Sequence, residues 1–185
     1  MPILPQEPDI FPNNLLADET VQEVDRWWAI YTLSRREKDL MRRLRQQGIY
    51  HYSPLVKRRS RSPSGRVRES YVPLFAGYVF LAGSEEHRYE ALKTNCISRC
   101  LEIEDPHRLI FDLRQVQQLV DSDAPLTPEA RILPGALVRV RSGPLMGLEG
   151  VVIQRRGQQR LMVSIEFLQQ GASVLIEDYQ LEQIG

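Results

Sequence analysis

The chain has 185 residues, 42% of them hydrophobic, and a formal charge of zero, enough for one ordinary domain with a real core and a smaller second one. No apolar run approaches the roughly 20 residues that span a bilayer, and the N-terminus lacks the basic and apolar regions of a signal peptide. Its two cysteines are too few for a secreted disulfide framework, so a cytoplasmic protein is expected.

The zero net charge hides a segregation. Residues 1 to 25 hold six acids and no base, whereas residues 26 to 68 hold thirteen bases against Glu37 and Asp39. Such asymmetry points to a polyanion or an acidic protein surface as partner. The first 25 residues are rich in Pro, Asp, Glu and Asn with only scattered apolar residues such as Phe11, Leu15 and Leu16, and read as an acidic disordered extension. Being negative, it can lie against the basic segment and compete with a nucleic acid, or remain a plain tail.

Trp27 to Leu33 is dense in aromatic and β-branched residues and reads as a strand. Ser34 with Glu37 three residues later reads as a capping box opening a helix that runs to about Gln47 and stops at Gly48. Leu40, Met41 and Leu44 fall on one helical face, with Arg35, Lys38, Arg42 and Arg45 in a stripe roughly opposite. Residues 49 to 56 read as a third strand, passing into Lys57, Arg58, Arg59 and Arg61. Ser62 to Gly65 is a turn leading back through Arg66 and Arg68, making a β-hairpin with a cationic tip suited to phosphates. Val72 to Gly83 is almost uncharged and reads as a central strand buried on both faces, with Val79 to Leu81 as its anchor. Ser84 caps a short helix to about Thr94; a strand over residues 98 to 103, a turn at Asp105-Pro106 and a helix over residues 113 to 121 follow.

Residues 123 to 133 hold two prolines and no periodicity and are expected as a linker. Beyond them, strands at residues 137 to 141, 151 to 153, 161 to 167 and 172 to 176 are punctuated by glycines. The expected fold is α+β: an N-terminal α/β sandwich with a mainly antiparallel sheet over residues 26 to 122, and a small SH3-like five-stranded β-barrel over residues 134 to 185.

No nucleophile and base constellation, phosphate-cradling loop or metal-ligand set stands out, so neither an enzyme nor a cofactor is expected. Cys96 and Cys100, near His87 and His107, match no strong zinc spacing.

Trp27-Trp28 opening a strand, the basic helix, Pro73-Leu-Phe-Ala-Gly-Tyr-Val-Phe80 and the run from Pro134 to Val152 together resemble the NusG-type transcription elongation factors, with a NusG N-terminal domain and a KOW domain in their usual order. Ser34 to Lys38, Gly48-Ile49 and Pro54-Leu55 look closer to the specialised antitermination paralogues of the RfaH and UpxY types. The resemblance implies a non-enzymatic factor, a monomer that binds the β′ clamp helices of RNA polymerase and suppresses pausing or termination. The residues matching the family's apolar docking patch are Trp28, Tyr31, Pro73, Leu74, Phe75 and Tyr78. His87 aligns with a contact to the β gate loop, although Arg88 and Tyr89 differ from that motif. The basic stripe and hairpin would face upstream or non-template DNA. Phe167 matches the KOW aromatic that faces a partner, either the termination factor Rho or a small-subunit ribosomal protein. Leu168-Gln169-Gln170 stands there in place of the usual Gly-Arg. An RNA-binding or ribosome-associated KOW protein is the alternative.

Overall fold

The computed structural model describes residues 5 to 176 and 181 to 185. The first four residues of the acidic extension and residues 177 to 180 of the expected barrel lie outside the described residues. The chain forms two compact units, one ending at Glu104 and one beginning at Asp105.

In the first unit the elements are β1 (Ile10–Phe11), α1 (Asp18–Glu23), β2 (Arg26–Thr32), α2 (Glu37–Gln46), β3 (Tyr50–Tyr52), β4 (Leu55–Arg61), β5 (Val67–Pro73), β6 (Tyr78–Gly83), α3 (Glu85–Leu92) and β7 (Ile97–Glu102). Five strands make an antiparallel sheet in the order β1-β3-β6-β2-β7, and β4 with β5 forms a separate hairpin. The central position of β6 agrees with the sequence reading. Val79, Phe80 and Leu81 are fully buried between β3 and β2. One face of the sheet packs Trp28, Ile30, Val79 and Leu81 against Leu40, Met41 and Leu44 of α2. Trp27, Ala29 and Phe80 are buried on the other, which is why these strands read as continuous apolar runs rather than alternating ones.

Several local expectations are corrected. The run from Val72 to Gly83 is not one strand. It is interrupted between Pro73 and Tyr78 by a turn in which Tyr78 N–H donates to the Phe75 carbonyl at 3.1 Å and Gly77 adopts φ +84°. The expected third strand is likewise broken at Ser53-Pro54, since Pro54 offers no N–H to a ladder. The capping box of Ser34 and Glu37 does not form. The helix starts at Glu37 itself, Arg36 is the N-cap and makes no side-chain capping bond, and the Glu37 carboxylate instead accepts the Gly77 N–H at 2.6 Å. Helix α3 begins at Ser84 as expected, and His87 completes its capping box.

The N-terminal segment is ordered where it is described. Ile10 and Phe11 pair with Tyr52 and His51, Leu15 and Leu16 are buried, and residues 18 to 23 form α1. Its few apolar residues suffice because they reach an existing sheet and core, an opportunity that composition does not register.

The second unit contains α4 (Pro106–Asp121), β8 (Leu126–Glu129), β9 (Ala136–Val140), β10 (Glu149–Arg155), β11 (Gln158–Ile165), a 3-10 turn (Glu166–Leu168), β12 (Gln170–Leu175) and β13 (Leu181–Gln183). Asp105 accepts the Arg108 N–H at 3.0 Å as N-cap with Pro106 in the first turn, so the expected turn is in fact a helix start. Against α4, Asp112 accepts the Glu166 N–H at 3.0 Å and Gln115 accepts the Glu149 N–H at 2.7 Å. Burial pushes the Asp112 carboxyl above its usual range, opposed by that bond and by Arg108.

The four strands read from the sequence are present, but the sheet has six strands in the order β13-β9-β10-β11-β12-β8. No pairing among the described residues closes it into the expected five-stranded barrel. The extra strand β8 lies in the expected linker and pairs with β12, and Ser173 donates to the buried Glu129 carboxylate at 2.6 Å.

Burial of His51 should make the stability of this fold depend on pH. Its ring is fully buried, Nδ1 lies 2.8 Å from the Ile49 carbonyl and so carries the proton, and burial lowers the imidazole from 6.5 to about 4. Above pH 6.5 the ring is neutral folded or unfolded. Between 6.5 and 4 only the unfolded chain takes the proton, so stability should fall by about 3 kcal/mol across that window. Urea unfolding at stepped pH checks this: His51→Gln should flatten the slope, and an unchanged slope would assign the loss to other groups.

Candidate functional site

Strand β2 ends where β6 begins, and the register sets Tyr31 opposite Tyr78. Their rings lie 5.2 Å apart at 53°, a separation at which aromatic pairs attract. Tyr31 is 43% exposed and Leu33, two residues on, is 46% exposed, while Tyr78 and Pro73 are half-buried. Gly77 sits beneath them. Its φ is +84°, and a Cβ there would lie 3.0 Å from the Tyr31 ring. Its N–H is held by Glu37, and its carbonyl accepts the Thr32 N–H at 2.8 Å. A groove of about 420 Å³ runs along this end of the sheet, lined among others by Tyr31, Leu33, Arg35, Gly77 and Ser98.

The structure divides the expected docking residues. Tyr31, Tyr78 and Pro73 reach the surface. Trp28, Leu74 and Phe75 are buried to 5% exposure or less and act as core beneath the patch. His87 is exposed, but it sits at the far end of β6, about 17 Å away at the usual strand rise. There its Nδ1 accepts the Ser84 N–H at 3.1 Å, which turns Nε2 away from the cap. Leu33 closes the run read as a strand but was not marked as a docking residue; its place two residues after Tyr31 is the signal that could have found it.

The cations form two surfaces. On α2 the buried Leu40, Met41 and Leu44 turn the basic stripe outward. Arg35, just before the helix, is exposed, and Lys38 is half-buried. Arg42 makes two bonds to the Glu7 carboxylate, at 2.6 and 2.9 Å, and Arg45 donates to the Pro8 carbonyl at 2.5 Å. The Arg42 hydrogen bond holds the Glu7 carboxyl below its usual range, with help from the charges of Lys38 and Arg45. On the hairpin, Glu69 pairs with Lys57 at 2.9 Å and Arg59 at 2.7 Å. Arg58 and Arg61 are exposed and face Ser70 and Val67 across the ribbon.

In the second unit Phe167 lies on the 3-10 turn and is 42% exposed, followed by buried Leu168 and by Gln169 at φ +54°. Burial raises the thiols of Cys96 and Cys100. Among the described residues no three His, Cys, Asp or Glu side chains form a metal-ligand set, and no helix is long and apolar enough to cross a membrane.

A family model described as transcription termination factor nusG matches residues 25 to 122, slightly more than half of the chain. The chain belongs to the NusG family. Comparison with curated proteins finds none that matches. NusG proteins are transcription elongation and termination factors that bind RNA polymerase, and they are not known as enzymes. The NusG match covers the tyrosine pair, both cationic surfaces and His87. It also runs through α4, which here belongs to the compact unit of residues 105 to 185.

Burial separates scaffold from surface in this NusG-type domain. Phe75→Ala should cost about 3–5 kcal/mol of stability, on the scale of a core truncation. Tyr31→Ala should cost no more than about 1 kcal/mol. Denaturant unfolding of the two variants checks the difference, and equal losses would make Tyr31 part of the core.

Proposed function

We propose that this chain is a specialised antitermination factor of the RfaH or UpxY type that binds RNA polymerase through the patch of Tyr31, Tyr78, Pro73 and Leu33. The observation that carries this reading is the tyrosine pair at the end of the sheet, Tyr31 exposed and Tyr78 half-buried beside it, next to the Gly77 turn held by Glu37, in a chain whose family binds polymerase. Large amphipathic rings on a rigid base are what interface hot spots use, because they bury area with little loss of side-chain freedom. The expected surface is the β′ clamp helices. His87, with Nε2 directed away from its cap, makes a separate contact with the β gate loop. Arg35, Lys57, Arg58, Arg59 and Arg61 lie along upstream or non-template DNA, where each neutralised phosphate adds affinity without reading sequence. Functionally the chain divides into a NusG N-terminal domain at residues 26 to 122 and a KOW domain at residues 134 to 185. Exposed Phe167 recruits Rho or a small-subunit ribosomal protein, and the factor works in the cytoplasm with the polymerase.

The test uses reconstituted elongation complexes. The protein should bind them and shorten pauses. Tyr31→Ala and Tyr78→Ala should each weaken binding by about 5- to 30-fold, as loss of a hot-spot side chain does. A protein that neither binds polymerase nor changes elongation would overturn the reading. Tight, salt-sensitive binding to naked RNA without clamp-helix binding would replace it with that of an RNA-binding or ribosome-associated module.

A further inference from the structure

Arg42 and Arg45 differ from the other cations in how they are neutralised. Arg36 and Arg43 pair with Asp39 on the same helix, three and four residues away. Lys57 and Arg59 pair with Glu69 across their own hairpin. The partners of Arg42 and Arg45 instead come from residues 35 and 37 positions earlier in the chain. That distant segment is also fastened at points away from the two arginines. The Asp9 carbonyl accepts the Ser53 N–H at 2.9 Å, the Asp9 carboxylate accepts the Leu55 N–H at 3.1 Å, and Ile10 and Phe11 pair with β3. Glu7 and Pro8 are therefore delivered to the helix by an anchored strap.

The chemistry on the helix is that of an oxyanion site. Glu7 presents two oxygens to two guanidinium nitrogens of Arg42, the fork geometry by which arginine also holds a phosphate. The neighbouring Arg45 points a nitrogen at a further oxygen acceptor, the Pro8 carbonyl, while its buried Nε has no partner.

We propose that Arg42 and Arg45 form a binding site for the phosphate backbone of a nucleic acid, and that Glu7 and Pro8 occupy it in the free protein as an internal stand-in. This rests on the nucleic-acid contact of the proposed function and adds its regulation. With the strap seated, the hairpin and Arg35 supply the nucleic-acid surface alone. When a phosphate displaces Glu7, the surface extends along α2.

Binding of a labelled single-stranded DNA of about 20 nucleotides, measured against salt, tests this on the full chain. Glu7→Gln should tighten binding about three- to fivefold and steepen the salt dependence by about one phosphate contact. Arg42→Gln should change little while Glu7 is retained, but in the Glu7→Gln background it should abolish the whole gain. That coupling separates unmasking from the mere removal of a negative charge, which would leave the two effects additive and overturn the proposal. If DNA binds and Lys57→Ala with Arg58→Ala weakens it while Glu7→Gln is inert, the DNA contact of the proposed function stands and the stand-in falls. If no variant binds DNA, the stand-in falls together with the DNA contact of the proposed function, while docking through the tyrosine patch is judged by the elongation-complex assay. Thermal unfolding of each variant confirms that the fold is retained.

Discussion

The bond between the Gly77 N–H and the buried Glu37 carboxylate is the constraint on which the first unit's exposed end depends. It joins the first residue of α2 to the turn that opens the central strand β6, and the Gly77 carbonyl ties the same turn to Thr32 at the end of β2. A hydrogen bond to a charged acceptor contributes about 1.5–3 kcal/mol when its partner would otherwise be buried alone. Glycine is required there because a side chain at φ +84° is strained and would meet the Tyr31 ring. Three elements are thus held at one point, and the two tyrosines stand over it. The patch owes its rigidity to backbone placement more than to contacts between its own side chains.

How much of this was legible in the sequence follows from the range of each interaction. Strand β6, the helix face of Leu40, Met41 and Leu44, and the hairpin turn at Ser62 to Gly65 were legible because spacing and turn chemistry are written within a few residues. Glu37 misled because a capping box and a tertiary bond to Gly77 ask for the same residue, and only the position of the β6 turn decides between them. Phe75 was expected at the docking patch because it matches the family's apolar residues, and a run read as one strand gave no sign of the turn that folds it away. It turns inward, leaving Tyr31 and Tyr78 outside. Strand β8 was hidden by Pro128, since its outermost place beside β12 tolerates a residue that a central strand would not. Asp112 and Gln115, whose side chains accept backbone N–H groups of the 3-10 turn and of β10, sit in a helix where nothing local distinguishes them from solvated polar residues.

The chain's zero net charge also acquires a structural meaning. The acidic segment at the start is complementary to the basic segment after it, and the fold turns part of that complementarity into contact at Glu7 and Arg42. The hairpin stays strongly positive because Glu69 is the single acid within it. One molecule therefore carries both an exposed aromatic patch and a cationic ribbon, the two surfaces on which the proposed function draws.

Strand β1 has only two residues, yet it decides how the sheet meets other chains. Without it β3 would present a row of unpaired backbone donors and acceptors, a template on which a strand from another molecule can add. Its brevity is protective in turn, because Pro12 follows directly and offers no N–H for a further strand to continue the ladder. The segment that masks a helix thus also terminates a sheet, so a chain shortened past Phe11 would gain a charged surface and lose its guard against self-association.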